Sequence, residues 1–432
     1  MKYYSLFFLL YAACCCSCKR EPDILRDDNG VAIKLPTLWS VPVSSGNYLG
    51  IGVDAPVVYQ NRYVLCPGGG GGFGKAVLHM VDAQTGSLKW KWNDYVDKDD
   101  NIDVTWFYTR NNLFLSSLGS KTRVINMDTG ETFWRRKKKD GMTSNITVAG
   151  IGDDYYFVGI GYNEQIKQSK SSLFRGRITF PTEEELVIPA DFFPREYEGD
   201  GLGYGGYGVQ AALPFVHQGD TMVVASYASS TPNPDPKVIA LGVHPYFGVF
   251  NVSRHQWLYK GVELAKPGVS MVVDGMPVIS NGKVYHNINR LITCHDLLTG
   301  REIWRRQFNA NFLFGGFIIT DGVLVANCED LFIYGLNPET GQELWKEPSS
   351  GSPSRMYDLN GVVYFAGGGD GYFHAVDVKT GKHLWRLESP DKKRNSSAFF
   401  YLMAAGIPGF DGKKGVIVAH TGLHVYGYEA AR

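Results

Sequence analysis

The 432-residue chain is short of several things at once. Beyond residue 18 it holds only three cysteines, Cys66, Cys294 and Cys328, and no two are adjacent. An odd set of separated thiols excludes a disulfide framework as what holds an exported fold together. Net charge is lacking too, because 43 Lys and Arg balance 43 Asp and Glu. That removes the electrostatic reason for a nucleic-acid partner. The longest apolar run, YYSLFFLLYAACCCSC at residues 3–18, stops short of the ~18 to 20 residues that span a bilayer as a helix. No nucleophile–base pair or carboxylate pair declares itself. The glycine run at residues 67–74, PGGGGGFG, lacks the Lys-Ser/Thr ending of a phosphate loop and reads as a turn. His420 and His424 are four apart in a strand context, where that offset does not make the one-face pair of a zincin. With 44% hydrophobic and 20% charged residues the chain is globular rather than disordered.

What is present begins at the N-terminus. Met1-Lys2 precedes the apolar run, which ends at Lys19-Arg20, as in a secretory signal. Small residues before a cysteine resemble a bacterial lipobox. Cys18, after Ser17, is the expected lipidation site, and Cys14, after Ala12-Ala13, is the alternative. The expected layout is a lipoprotein signal segment at 1–18, a polar tether at 19–30 and one domain at 31–432. The protein is then an exported, membrane-anchored lipoprotein of the cell envelope.

The domain is rich in glycine (51 residues) and aromatics (13%), which suits strands joined by tight turns. It also repeats. VDAQTGSLKW carries Asp82, Thr85, Gly86 and Trp90, and INMDTGETFW carries Asn126, Thr129, Gly130 and Trp134. CHDLLTGREIW, LNPETGQELW and VDVKTGKHLW end on Trp304, Trp345 and Trp385. Gly precedes Trp by four residues in all five, and Trp-to-Trp spacings of 44, 41 and 40 match a four-stranded propeller blade. Asp or Asn opens the turn, Gly supplies its φ > 0 position, and Trp arrives at an equivalent place on each outgoing strand. Trp39 and two degenerate copies, Phe180 in SLFRGRITF and Trp257 in FNVSRHQW, complete eight docking positions. Eight β-rich hairpins precede them. The pattern predicts an all-β fold, an eight-bladed β-propeller of four-stranded antiparallel blades, with seven blades as the alternative. An N-terminal strand from residues 31–40 closes the last blade, removing the open edges. Residues 161–212 and 228–250 read as irregular insertions.

The A-x-D-x-x-T-G-x-x-x-W pattern resembles the tryptophan-docking repeat of the PQQ-like (quinoprotein dehydrogenase-like) propellers, over roughly residues 31–432. The resemblance implies the fold; function is carried by sites and not by the fold. Dehydrogenases of this family bind PQQ and Ca²⁺ on the propeller axis, usually with a vicinal cysteine pair on the quinone. No adjacent cysteines follow residue 18, so no cofactor, metal or catalytic residue is expected. Among family members a single lipid-anchored propeller most resembles the lipoprotein of the outer-membrane β-barrel assembly machinery. The expected function is a non-enzymatic envelope scaffold whose partner is an envelope or outer-membrane protein. One alternative is a surface glycan- or polymer-binding accessory using Trp106, Tyr204 and Tyr207; another is a PQQ-dependent enzyme. Candidate partner residues are Tyr204 and Tyr207, in DGLGYGGYGVQ, and Arg135 and Arg136, which open the run RRKKK. Cys18→Ser is expected to abolish the acylated N-terminal peptide seen by mass spectrometry of the mature protein. An acyl group found on Cys14 instead moves the anchor.

Overall fold

The computed structural model describes residues 35–43, 57–69, 76–95, 107–118, 121–137, 142–163, 168–189, 206–231, 242–265, 276–312, 316–351, 354–393, 400, 404–409 and 411–432. The segments assigned to the signal and the tether lie outside them, as do Cys14 and Cys18.

The local rule behind the fold is visible at Asp82. Its carboxylate accepts the backbone N–H groups of Gln84 and Thr85, and its carbonyl accepts the N–H of Gly86. Gly86 has φ +73°, and the four equivalent glycines, Gly130, Gly300, Gly341 and Gly381, lie between +71° and +76°. A side chain there is strained, so the Thr-Gly step is the chemistry this turn needs. Each turn joins the third strand of a sheet to the fourth.

Sheet I is Val57–Tyr59, Tyr63–Gly69, Ala76–Asp82 and Leu88–Trp92; sheet II is Phe107–Arg110, Leu113–Leu118, Lys121–Asn126 and Thr132–Lys137. Sheets IV (278–307), V (317–348) and VI (357–387) repeat this four-stranded antiparallel order. Sheet VII contains Ala404–Ile407, Val416–His420 and His424–Glu429, and its fourth strand is Thr37–Pro42 from the other end of the chain, with Trp39 opposite Gly427. Sheet III has eight strands, from Met142–Ile151 to Gln256–Glu263. Its two halves are joined where Gln168–Arg177 runs parallel to Gly206–His217, Ser169 to Ser171 pairing Gly206 to Gly208.

The cores lie between the sheets. Tyr59 and Met80 of sheet I pack with Phe114 and Ile125 of sheet II. Trp134 of II meets Phe157 and Ile178 of III. Val249 meets Val284 and Leu297 of IV, Tyr285 meets Leu324 and Tyr334 of V, and Val325 meets Phe365 and Val376 of VI. Tyr364 and Phe373 meet Ile417 and Tyr428 of VII. Val418 and Val425 meet Val64 and Cys66 of sheet I. That last contact closes the series into a ring, which is a β-propeller. An eighth cluster, with Tyr156, Leu173 and Ile188 against Val209, Val223 and Phe250, lies between the two halves of sheet III.

A ring side chain bridges most seams. The indole N–H groups of Trp39, Trp90, Trp134, Trp304 and Trp345 donate to the carbonyls of Ala83, Met127, Ile178, Pro338 and Val378 on the next sheet, at 2.8–2.9 Å. A Cβ on Gly86, Gly130, Gly341 or Gly381 would come within 2.5–2.7 Å of the ring docked there. Trp385 is buried against Tyr364 and Phe373, but its N–H finds no acceptor among the described residues. That seam is tied instead by Arg432 to Asp377 and by the Ala431 N–H to the Tyr364 hydroxyl.

Two expected docking residues are corrected. Trp257 packs on Phe250 and Tyr227 of its own sheet, and the seam bond comes from the Tyr259 hydroxyl, which donates to Leu297 O at 2.9 Å beneath Gly300. The docking ring stands eight residues after the turn-opening Asp or Asn, and eight after Asn251 is Tyr259. Counting from Ser253 misled because the left-handed position that Gly fills in the other turns is held here by His255, with φ +52°. Phe180 is 47% exposed, with the Arg177 guanidinium over its ring. Eight after Arg177 comes Glu185, paired with Arg175 and 3.9 Å from His255 of the other half-sheet. No aromatic docks here because backbone pairing already joins the halves. The described residues of 161–212 are likewise mostly strand. They contain Gln168–Arg177, Glu185–Ile188 and the start of Gly206–His217, and QSKSSLFRGR is too polar to announce a strand that its neighbours pair on both sides. Residues 228–250 contain the ends of Asp220–Thr231 and Gly242–Asn251.

Trp345→Ala is expected to cost about 3 to 5 kcal/mol, measured by denaturant unfolding, because the ring is 8% exposed and bonded across its seam. Phe180→Ala is expected to change stability by less than about 0.5 kcal/mol.

Candidate functional site

Arg135 and Arg136 sit on Thr132–Lys137, the most exposed strand of sheet II. Arg135 is tied to Asp94 of sheet I, so it staples a seam as well as facing solvent. Tyr207 lies in the parallel joint of sheet III, opposite Lys170. Tyr204 and Trp106 fall outside the described residues. Among the described residues, the two arginines and Tyr207 thus sit on different sheets.

A cleft of about 500 Å³ opens where sheets I and VII meet, lined by Gln60, Asn61, Arg62, Gln84, Pro408 and Gly409. Its one guanidinium is bound to Asp82 at 2.7 Å. Amides and a tethered cation suit a polar ligand and supply no nucleophile.

Two Asp–His pairs escaped sequence reasoning: Asp391 and His424 are 33 residues apart, and Asp370 sits on a turn 4 residues before His374, an offset that strand periodicity does not pair. Asp391, 0% exposed, accepts from the Thr421 hydroxyl at 2.6 Å and lies 3.0 Å from His424 Nδ1. Asp370 lies 3.1–3.2 Å from His374 Nε2. Burial opposes charge on Asp370, but the bond and charge of His374, the Tyr372 N–H and the Arg386 charge together outweigh it and hold the carboxyl below its usual range. His420 and His424 face different partners, since His420 Nε2 reaches Pro67 O and His424 reaches Asp391.

Buried imidazoles recur along the seams. His79, His286, His295 and His420 are at most 2% exposed. His286 Nε2 is 3.1 Å from the Ser226 hydroxyl across the seam between sheets III and IV. Burial pushes His79, His295 and His420 down to about 4 and His286 to about 3, with the charge of His295 adding to the last.

A Ca²⁺-bound quinone would need several converging oxygen donors. Among the described residues no group of three or more His, Cys, Asp or Glu is placed to hold a metal ion, and Cys66, Cys294 and Cys328 are free, buried and apart. The donor set does not fit PQQ with calcium. Among the described residues no helix is long and apolar enough to cross a membrane.

Comparison with known proteins agrees with this architecture. Residues 254–425 match the family model described as outer membrane protein assembly factor BamB. No curated protein matches the chain by sequence. Three solved structures share the fold. Quinohemoprotein alcohol dehydrogenase from Comamonas testosteroni is 12% identical with a TM-score of 0.62, over 91% of this chain and 76% of that one. BamB from Moraxella catarrhalis is 12% identical with a TM-score of 0.54, over 92% and 98%. The computationally designed protein Ika8 is 13% identical with a TM-score of 0.54, over 90% and 99%. The chain is similar to both a quinoprotein and an assembly factor, so the shared fold is that of the PQQ-like propellers.

The four seam histidines set a pH dependence. Their folded pKa values lie below the unfolded value of about 6.5, so protonation favours the unfolded chain. Stability is fully present above about pH 6.5 and falls as pH drops toward 4. Each imidazole is expected to contribute a loss of about 2 kcal/mol by pH 5. Urea midpoints between pH 7 and 5 check this; a flat profile contradicts neutral burial.

Proposed function

We propose that this PQQ-like propeller is an eight-bladed, non-enzymatic scaffold of the cell envelope, anchored through an acylated cysteine and docking an envelope or outer-membrane protein. Counting seams supports eight blades over the alternative of seven: there are seven clusters between sheets plus the one inside sheet III, whose halves each have four strands. The scaffold reading rests on one recurrent feature. The residue immediately before the docking ring is apolar and exposed on five outer strands: Leu38 47%, Phe133 52%, Leu258 48%, Ile303 37% and Leu344 50%. Each of these strands ends its sheet's order and pairs with one neighbour only. A free backbone edge carrying an apolar side chain is what strand addition uses, and a repeated belt of such positions marks a protein-facing surface. The match of residues 254–425 to the assembly-factor family supports the same reading. Among the described residues no three His, Cys, Asp or Glu side chains converge as a quinone's calcium would need.

The test is cross-linking in intact cells and recovery of the tagged lipoprotein, wild type beside Phe133→Glu and Leu344→Glu. Both variants keep the buried rings, so each is expected to melt within a few degrees of wild type. Reproducible recovery of an outer-membrane barrel or secretion component, reduced at least several-fold by one variant, supports the scaffold. Recovery of the chain alone overturns it, and a melting-temperature gain with soluble polysaccharide then favours glycan binding.

A further inference from the structure

The outer strands of the sheets do not share charge evenly. Leu88–Trp92 of sheet I carries Lys89 and Lys91, and Thr132–Lys137 of sheet II carries Arg135, Arg136 and Lys137. These two strands hold five cations and no acid. The outer strands of sheets III to VI, QWLYKGVE, EIWRRQ, ELWKEP and HLWRL, hold five cations against four acids. The two cationic strands are neighbours. The Trp92 indole N–H donates to the Thr132 hydroxyl at 2.9 Å, that hydroxyl donates to Asp94, and Arg135 reaches the same carboxylate. Acids stand nearby without cancelling the excess. Asp94 takes Arg135, Asp128 is 3.8 Å from Lys89, and Glu131 lies in the turn before the strand of sheet II. Lys91 and Arg136 form no ion pair among the described residues.

Apolar side chains stand among these cations, Leu88 at 42% exposure and Phe133 at 52%. The next sheet round the ring is VII, whose outer strand is Thr37–Pro42, with Leu38 47% exposed and Trp39 bonded to Ala83 of sheet I. The segments assigned to the tether and the anchor precede that strand. Three successive outer strands on one side of the ring thus join the entry of the chain, exposed apolar groups and the cationic excess. An anionic bilayer takes this combination: apolar side chains enter the headgroup boundary, and lysine and arginine stay at the phosphates. An acyl anchor and a basic patch together hold a domain at a membrane more firmly than one acyl chain does. A soluble polyanion would use the charges and leave Leu38, Leu88 and Phe133 in water.

We infer that the outer strands of sheets VII, I and II form the membrane-facing side of the propeller and dock on the phosphate headgroups of an anionic bilayer. The inference rests on the anchored envelope reading above. It divides the apolar belt: Leu38 and Phe133 face lipid, and Leu258, Ile303 and Leu344 stay open to a protein partner.

The experiment reconstitutes the purified, acylated full chain in vesicles of phosphatidylcholine, alone or mixed with phosphatidylglycerol. A water-soluble acetylating reagent labels the lysines, and mass spectrometry reads each one. Lys260 and Lys346, exposed on the outer strands of sheets III and V, are internal references. Lys91 and Lys137 are expected to be protected in the anionic vesicles and not in the neutral ones, with the references unchanged and high salt removing the protection. Lys91→Gln, checked for folding by its melting temperature, is expected to raise Lys137 labelling in the anionic vesicles about five-fold, the worth of one surface cation at an anionic leaflet. Flotation with the neutral vesicles reads the anchor separately: a chain that fails to float there contradicts the anchored reading, while labelling in the anionic vesicles still judges the surface. Equal labelling of Lys91, Lys137 and the references in anionic vesicles overturns the inference. Protection already present in buffer overturns it too, by assigning the cations to the chain's own acidic stretch DKDDNID at residues 97–103. Protection given by dextran sulfate and not by anionic vesicles assigns the surface to a soluble polyanion and overturns it as well.

Discussion

The indole N–H that crosses five of the seams to a backbone carbonyl is what the rest of this molecule depends on. It fixes the distance between neighbouring sheets, since ring and acceptor must sit 2.8–2.9 Å apart. It also explains the composition of the turns. The ring lies on the turn glycine, and the same glycine must adopt positive φ. Space and conformation therefore impose one residue type at one position. A turn that opens with Asp or Asn, closes with Gly and delivers an aromatic at a set distance is a unit that can be stacked. The cores between sheets then need only be apolar and of matching volume.

Where that contact is replaced, the replacement shows what it supplies. Tyr259 keeps the donor and the flat ring while exchanging an indole for a phenol. Inside sheet III the ring is gone, and strand-to-strand hydrogen bonds with Glu185 near His255 take over. At Trp385 the ring is kept and the acceptor is lost, and Arg432 and Ala431 tie the seam by other means. A seam thus tolerates loss of one part when another holds the sheets in register.

The parts that were legible in sequence are those set by local chemistry. Asp82, Thr85, Gly86 and Trp90 declare turn, conformation and docking within ten residues, and the regular spacing carries this to the whole ring. The N-terminal closing strand was legible as an arithmetic shortage in the last sheet. Less legible was anything set by partners distant in sequence. Gln168–Arg177 has almost no strand signal of its own, and Asp391 meets His424, 33 residues on, only once the chain has folded. Tyr259 was within reach, because counting from Asn251 rather than Ser253 finds it. The belt of Leu38, Phe133, Leu258, Ile303 and Leu344 was also written beside five of the docking rings, but exposure is a property of the ring's assembly.

The closing strand has a consequence for how the molecule comes into being. Trp39 pairs opposite Gly427, so the first described strand to be synthesised waits for nearly the last. Until that moment two edges stand open, one on sheet I and one on the three strands of sheet VII. The intervening sheets can build on one another as they emerge, but the loop to be closed is almost the full length of the chain. Such a topology puts its slowest step at the end of synthesis and leaves a long interval in which edge strands are available to proteases or to other nascent chains.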